Sequence, residues 1–170
     1  LFPELYGIRD YALWIGLIEP SKNQLAIIKP LREKGIPLVF VGKYRDKAYY
    51  GACRQAGGKG VMFIDSLPQR SEIVRSALQN ALLYVELSLE PAGLSALEAG
   101  LSGSRLLLSD SAWSREHFLD HAEYVNPHSP ADISAGIDNV LQRTRNNEKL
   151  KEHVSNYCFP NALMPLIDVL

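Results

Sequence analysis

Two carboxylates, Glu90 and Glu98, bracket a glycine in the segment Glu90-Pro-Ala-Gly-Leu-Ser-Ala-Leu-Glu98. Carboxylates accept hydrogen bonds from hydroxyls, and free amides at a helix N-terminus attract anions, so such a segment can grip a ligand carrying both groups. Pro91 suits the first turn of a helix, and Leu94, Leu97 and Leu101 then recur at helical spacing on the face expected to pack inward. Glu98 falls inside that stripe. Burying a carboxylate bare costs on the order of several kcal/mol, so Glu98 requires either a Lys or Arg partner or a bound hydroxyl pair such as a ribose diol. Glu90 precedes the helix, where an acid also serves simply to oppose the helix dipole. Gly93 permits close backbone approach, and the amides around it form a potential phosphate cradle. Lys22 follows Ser21 in another presumed first turn. It is either a solvated lysine or, with the adjoining backbone, the holder of an anionic group.

These residues need a scaffold that brings loop ends together. Short apolar runs at 11–16, 36–42, 60–64, 81–86, 105–109 and 123–126 alternate with helical stretches near 21–34, 44–56, 70–79, 92–103, 113–119 and 130–145. Runs such as PLVFVG and RLLLS do not alternate polar with apolar residues, as expected of strands covered on both faces. The pattern predicts an α/β fold, a doubly wound, Rossmann-like parallel sheet of about six strands with helices on both faces. Ser21 and Gln24 have capping-box spacing, Gly35 and Pro37 end the first helix, and Ser129 or Asp132 caps the helix near 130–145. A further helix is expected after Pro160. In such sheets ligands sit beyond the carboxyl ends of the strands, which directs attention to the connections 17–22, 43–47, 65–71, 87–93 and 110–116.

Composition narrows the classes of partner. The chain has 170 residues, 46% hydrophobic and 22% charged, with net charge -1 from 18 basic and 19 acidic side chains. It fits a single domain, and the charge balance gives no electrostatic basis for binding nucleic acid. Cys53 and Cys158 match no metal spacing and read as buried free thiols of a cytoplasmic protein. No apolar run reaches the length of about 20 residues that spans a membrane, and no signal-peptide pattern opens the chain. His117 and His121 share i, i+4 spacing without an evident third ligand, so no metal site is predicted. Gly57-Gly-Lys-Gly60 is a turn that lacks Walker A spacing, and no G-x-G-x-x-G follows the first strand. Trp14 and Tyr84 are assigned to the core, and Tyr44, Tyr49 and Tyr50 to a helix near the site.

Read together, these motifs resemble the C-terminal domain of the retaining GT-B glycosyltransferases of family 4. That family carries an E-x7-E motif, often E-x-F-G-L-x-x-x-E-A, which residues 90–99 match; Ser88 matches a serine common two positions before the first Glu. Residues 14–24, WIGLIEPSKNQ, resemble the family's V-G-R-L-x-x-x-K-N-Q loop, with Gly16 as the loop glycine. VFVG at 39–42, VMFIDSL at 61–67 and the segment 116–127 fall in the same order as their counterparts, so the likeness runs from about residue 8 to 145.

The resemblance implies that the chain binds a nucleotide-sugar donor, UDP- or GDP-linked, and transfers a hexose-type sugar to a glycan or lipid-linked acceptor without a metal cofactor. Lys22 would contact the diphosphate, Glu98 the ribose, and Glu90 the transferred sugar. Gly93 and Leu94 would meet phosphate and sugar oxygens, and Met62 and Phe63 would flank the base. It also implies a partner, the preceding GT-B domain that carries the acceptor and any peripheral membrane contact. That domain is absent from these 170 residues, which divide into a linker at 1–10, the binding domain and a helical tail at 146–170. Three positions depart from the pattern: Leu17 replaces a phosphate-binding arginine, Ala92 an aromatic, and Asp65 a glycine. Leu17 removes a charge-assisted donor to the leaving group, so a non-catalytic nucleotide-binding or interaction module of the same descent is the alternative reading.

Overall fold

The computed structural model describes residues 1–69 and 71–158. Six strands, β1 (Ala12–Ile15), β2 (Leu38–Val41), β3 (Val61–Ile64), β4 (Leu83–Glu86), β5 (Leu106–Ser109) and β6 (Glu123–Val125), form one sheet of order β3-β2-β1-β4-β5-β6. Every pairing is parallel. The central strands β2, β4 and β5 are buried at every position, which explains their unbroken apolar runs. The doubly wound sheet predicted from sequence is therefore present, with each strand trimmed by one to three residues against its apolar run.

Among the described residues eight α-helices cover the sheet: α1 (Phe2–Tyr6), α2 (Leu25–Glu33), α3 (Lys47–Gly57), α4 (Glu72–Asn80), α5 (Leu94–Leu101), α6 (Ala112–Phe118), α7 (Pro130–Gln142) and α8 (Glu148–Ser155). One core joins Tyr11, Leu13, Val39, Tyr84 and Leu106 to α1, α4, α5 and α8. The other joins Trp14, Phe40, Val85 and Leu107 to α2, α3 and α7. The alternation of Leu13 with Trp14 and of Tyr84 with Val85 across the two cores is the strand period of two. Gly136 lets α7 approach the sheet, since a Cβ there would stand 2.3 Å from Val125 Cγ1.

Side-chain caps start five of these helices. Asp46, Ser71, Ser111, Ser129 and Asn147 each accept an amide of the following turn. Ser129, rather than Asp132, caps α7, while Asp132 Oδ2 accepts the Asn126 amide. The capping box expected from Ser21 and Gln24 does not form. Residues Pro20–Lys22 make a 3-10 turn, and α2 starts at Leu25 without a side-chain cap. Gln24 is fully buried and instead donates through Nε2 to Leu17 O at 2.7 Å. The segment 1–10 contains α1, which packs on α4 through a fully buried Phe2. Cys53 is buried and Cys158 only partly so, and both are free. The helix expected after Pro160 lies outside the described residues.

Candidate functional site

The strand order reverses between β1 and β4, and the two strands part there. Ala12 and Leu13 pair with Leu83 and Tyr84, but the pairing stops before Trp14 and Ile15. Among the described residues the Tyr84 hydroxyl, 3.3 Å from Ile15 O, spans the gap at that level. A cleft of about 330 Å³ opens above it, lined by Ile15, Gly16, Val41, Leu67, Gln69, Val74, Leu94, Ser95 and Glu98. This is the topological switch point, where open parallel sheets bind ligands.

Backbone packing fixes the floor. Gly16 N donates to Val41 O at 2.9 Å, and Gly42 N to Ile64 O at 2.8 Å. Gly42 has φ 153°, and a Cβ there would lie 1.9 Å from Gly16 O. No other residue fits at 42 without displacing the loop that carries Gly16.

Three loops beside the cleft are tied by one side chain. Asn23 adopts φ 59°, a left-handed conformation that asparagine tolerates. Its Nδ2 donates to Leu87 O at 3.3 Å and to Pro127 O at 3.1 Å. Leu89 N also donates to Ser21 O at 2.9 Å. The connections after β1, β4 and β6 are thereby joined, and Lys22 is carried to the β4–α5 loop. Its Nζ lies 2.7 Å from Glu90 Oε1, with Lys22 largely covered and Glu90 half exposed. The Lys22 ammonium, through that hydrogen bond and its charge, holds the Glu90 carboxyl below the usual range. Asn23 and Gln24 organise this loop, a role that their spacing alone did not reveal.

The predicted residues do not all meet in one place. Gly16, Leu94 and Glu98 line the cleft. Ser88 and Glu90 line a neighbouring depression of about 440 Å³ at the ends of β4, β5 and β6, with Asp110, Trp113 and His128. Lys22 and Gly93 line neither, although Lys22 Nζ reaches Glu90 at the edge of the second. Met62 and Phe63 cannot both flank a base in the cleft, because adjacent strand residues face opposite ways. Met62 packs on the α4/α5 side, whereas Phe63 lies under Tyr50 on the other. Leu67 and Gln69, beyond β3, occupy the cleft wall instead.

The expected burial of Glu98 is also corrected. Pro91 lies outside α5, which begins at Leu94 with Gly93 as its N-cap. The buried face consists of Ala96, Leu97, Ala99 and Gly100, while Leu94 is 76% exposed over the cleft and Glu98 is exposed. Glu98 therefore needs no internal partner and stands free to meet a ligand. Gly93 has φ -87°, and a Cβ there would meet only Ser95 Oγ at 3.7 Å, so the fold itself has room for a side chain.

The buried carboxylate is Glu86, 2% exposed at the end of β4. Its Oε2 accepts the Tyr84 hydroxyl at 2.9 Å, and its Oε1 accepts both Ser88 Oγ and the Gly93 amide at 3.1 Å. Burial pushes its pKa up, against the opposing pull of Gly93, Tyr84, Lys22 and Ser88. The spacing Tyr84-x-Glu86 was the available signal, since it places both on one face of a central strand, with Ser88 two residues beyond its end.

The remaining candidates are structural. His117 stacks on Trp113 with centroids 4.1 Å apart, and His121 meets Asn147. Among the described residues no group of three His, Cys, Asp or Glu could hold a metal ion. Tyr49 accepts the Leu25 amide at 3.2 Å, and Tyr44 stacks on Tyr50. No described helix is long and apolar enough to cross a membrane.

The architecture recurs among solved structures. Sucrose-phosphate synthase from Thermosynechococcus elongatus superposes with a TM-score of 0.79 at 16% identity, over 98% of this chain and 46% of that one. A trehalose-6-phosphate protein from E. coli, bound with UDP-2-fluoro glucose, gives 0.74 at 14% identity over 98% and 44%. The catalytic domain of cholesterol-alpha-glucosyltransferase from Helicobacter pylori gives 0.65 at 24% identity over 87% and 94%. The chain thus spans less than half of the first two proteins and nearly all of the third. No curated protein sequence matches it. The family model for glycosyl transferases group 1 matches residues 4–157, covering the cleft and all three tied loops, and the chain belongs to that family.

Proposed function

We propose that this chain is the donor-binding half of a cytoplasmic, retaining glycosyltransferase that transfers a hexose-type sugar from UDP or GDP to a glycan or lipid-linked acceptor. The observation that carries the proposal is the cleft at the switch point, whose lining brings together Gly16, the start of α5 and, one turn along the same helix, the exposed Glu98. The first amides of α5 have no intrahelical acceptor and suit a diphosphate. Glu98 is placed to accept hydrogen bonds from a ribose diol. Lys22 would exchange its Glu90 contact for a phosphate oxygen, releasing Glu90 toward the sugar. Helix amides and the lysine would stabilise the leaving diphosphate without a metal. The UDP-2-fluoro glucose bound by the trehalose-6-phosphate protein supports a UDP-linked donor. A second domain, preceding this one, would supply the acceptor and any contact with a membrane surface.

Leu17 favours a second reading, a non-catalytic binding module. Its position after Gly16 offers only a backbone carbonyl, already taken by Gln24, where a cation would assist departure of the diphosphate. The first reading and the nucleotide-binding form of the second both require a nucleotide in the cleft, whereas a pure interaction module does not, so thermal denaturation with UDP, GDP or ADP separates them. At a ligand concentration of 100 Kd the stabilisation is about 2.7 kcal/mol, or about 5–10 °C for a domain of this size. Glu98→Ala is expected to remove most of the shift. No shift with any of the three at millimolar concentration refutes donor binding. Sugar transfer by the chain joined to its partner domain would exclude the non-catalytic reading.

A further inference from the structure

Glu86 belongs to none of the roles assigned above, yet it is the most constrained charged side chain near the cleft. One oxygen, Oε1, accepts from Ser88 Oγ at the start of the β4–α5 loop and from Gly93 N at its end, each at 3.1 Å. A single carboxylate oxygen thus closes the loop into a ring, and Glu90 sits at its middle. The other oxygen is held by the Tyr84 hydroxyl, which also faces Ile15 O across the switch point and Ser95 of α5. Ser109 Oγ pins Ser88 O from below at 2.8 Å. Glu86 also removes Gly93 N–H from the set of amides that a ligand could use. The amides of Leu94 and Ser95, the next two along the helix, remain.

We propose that Glu86 is a positioning residue of the donor site. It clamps the 88–93 loop so that Glu90 meets Lys22, and it turns the start of α5 so that the Leu94 and Ser95 amides face the donor diphosphate. The role rests on the donor-binding reading. It extends that reading, because a buried acid is placed behind an anion site and must be masked by hydrogen bonds to be tolerated there. The charged and titratable groups that face it are Lys22 from the β1–α2 loop and Tyr84 from its own strand. From α5 come only the Gly93 amide and, through Tyr84, the Ser95 hydroxyl.

Three variants separate a clamp from general packing. Glu86→Gln keeps an oxygen acceptor for Ser88 and Gly93, Glu86→Leu fills the volume without any acceptor, and Ser88→Ala cuts one arm and leaves the carboxyl in place. The first readout needs no donor: NMR titration of the Glu90 carboxyl, which reports its pairing with Lys22. It is expected to stay depressed in Glu86→Gln and to return toward the ordinary carboxylate range in Glu86→Leu. The second readout is calorimetric affinity for UDP-glucose and GDP-mannose, whose phosphates do not titrate near neutrality. Glu86→Leu is expected to weaken the bound donor at least tenfold, Ser88→Ala by about threefold to tenfold, and Glu86→Gln by less than threefold. If Glu86→Leu folds poorly, Ser88→Ala and Glu86→Gln carry the comparison. Wild-type affinity retained in Glu86→Leu or Ser88→Ala overturns the clamp while leaving donor binding intact. Equal losses in folded Glu86→Gln and Glu86→Leu also overturn it, since charge rather than geometry would then be at work. A wild-type chain that binds neither donor overturns the donor-binding reading, and with it the role of Glu86.

Discussion

Asn23 joins the loops after β1, β4 and β6, so its replacement measures what that junction contributes. In Asn23→Asp the side chain keeps its size and its tolerance of φ 59°, but the Nδ2 donor becomes an oxygen facing Leu87 O and Pro127 O. Two hydrogen bonds are lost, at about 1 kcal/mol each, and the carbonyls then oppose a carboxylate, which adds about 1–2 kcal/mol. The expected loss at pH 7 is about 3–4 kcal/mol, or about 6–16 °C in melting temperature. Asn23→Ala also loses both bonds and pays about 1 kcal/mol for a left-handed alanine, for a total of about 3 kcal/mol. Acidity distinguishes the two. Facing carbonyls raise the folded-state pKa of the new aspartate, so its penalty grows as pH rises through that value and shrinks as pH falls toward about 4. The alanine penalty, measured against wild type, stays flat. Urea denaturation at pH 7 and pH 4.5 supplies both differences. A loss below about 0.5 kcal/mol in either variant, or a pH-independent Asn23→Asp penalty, refutes the junction as described.

Further outcomes follow from the same geometry. Gly42→Ala should destabilise the fold by about 3 kcal/mol in urea denaturation, because its Cβ would fall on Gly16 O and backbone must move; a loss under about 1 kcal/mol would show that the two loops part easily. Lys22→Met should return the Glu90 carboxyl toward its ordinary range by NMR titration. With its pKa depressed in the folded state, Glu90 contributes stability above its unfolded pKa that is lost as pH falls through the folded value. Lys22→Met should flatten that part of the acid denaturation profile, by a small amount because Glu90 is half exposed.

The sheet was legible because burial on both faces writes itself as unbroken apolar runs. PLVFVG and RLLLS correspond to β2 and β5, buried at every position. Loop positions were legible for the same reason, and Gly16, Leu94 and Glu98 do meet in one cleft. Side-chain direction was not. Reading α5 from Pro91 put Leu94 and Glu98 on the inner face, but the helix starts three residues later and packs through Ala96, Leu97, Ala99 and Gly100. Small residues bring it close to the sheet, and the leucine periodicity did not register them. The capping box failed because a 3-10 turn intervenes, whose left-handed Asn23 has no signature in spacing. The family resemblance groups Met62 with Phe63 beside the base, where the strand period of two separates them. Glu86 escaped notice because an acid closing a strand looks solvated until its partners at 84, 88 and 93 fold back onto it.

Donor binding at the switch point is tested most directly by amide NMR shifts of the 15N-labelled chain titrated with UDP-glucose and GDP-mannose. One of the two is expected to move Gly16, Lys22, Leu94, Ser95 and Glu98, with saturation, and to leave α7 and the α2/α3 face unmoved. Saturable shifts clustered elsewhere on the sheet, or none at millimolar concentration of either donor, would contradict the assignment of the cleft.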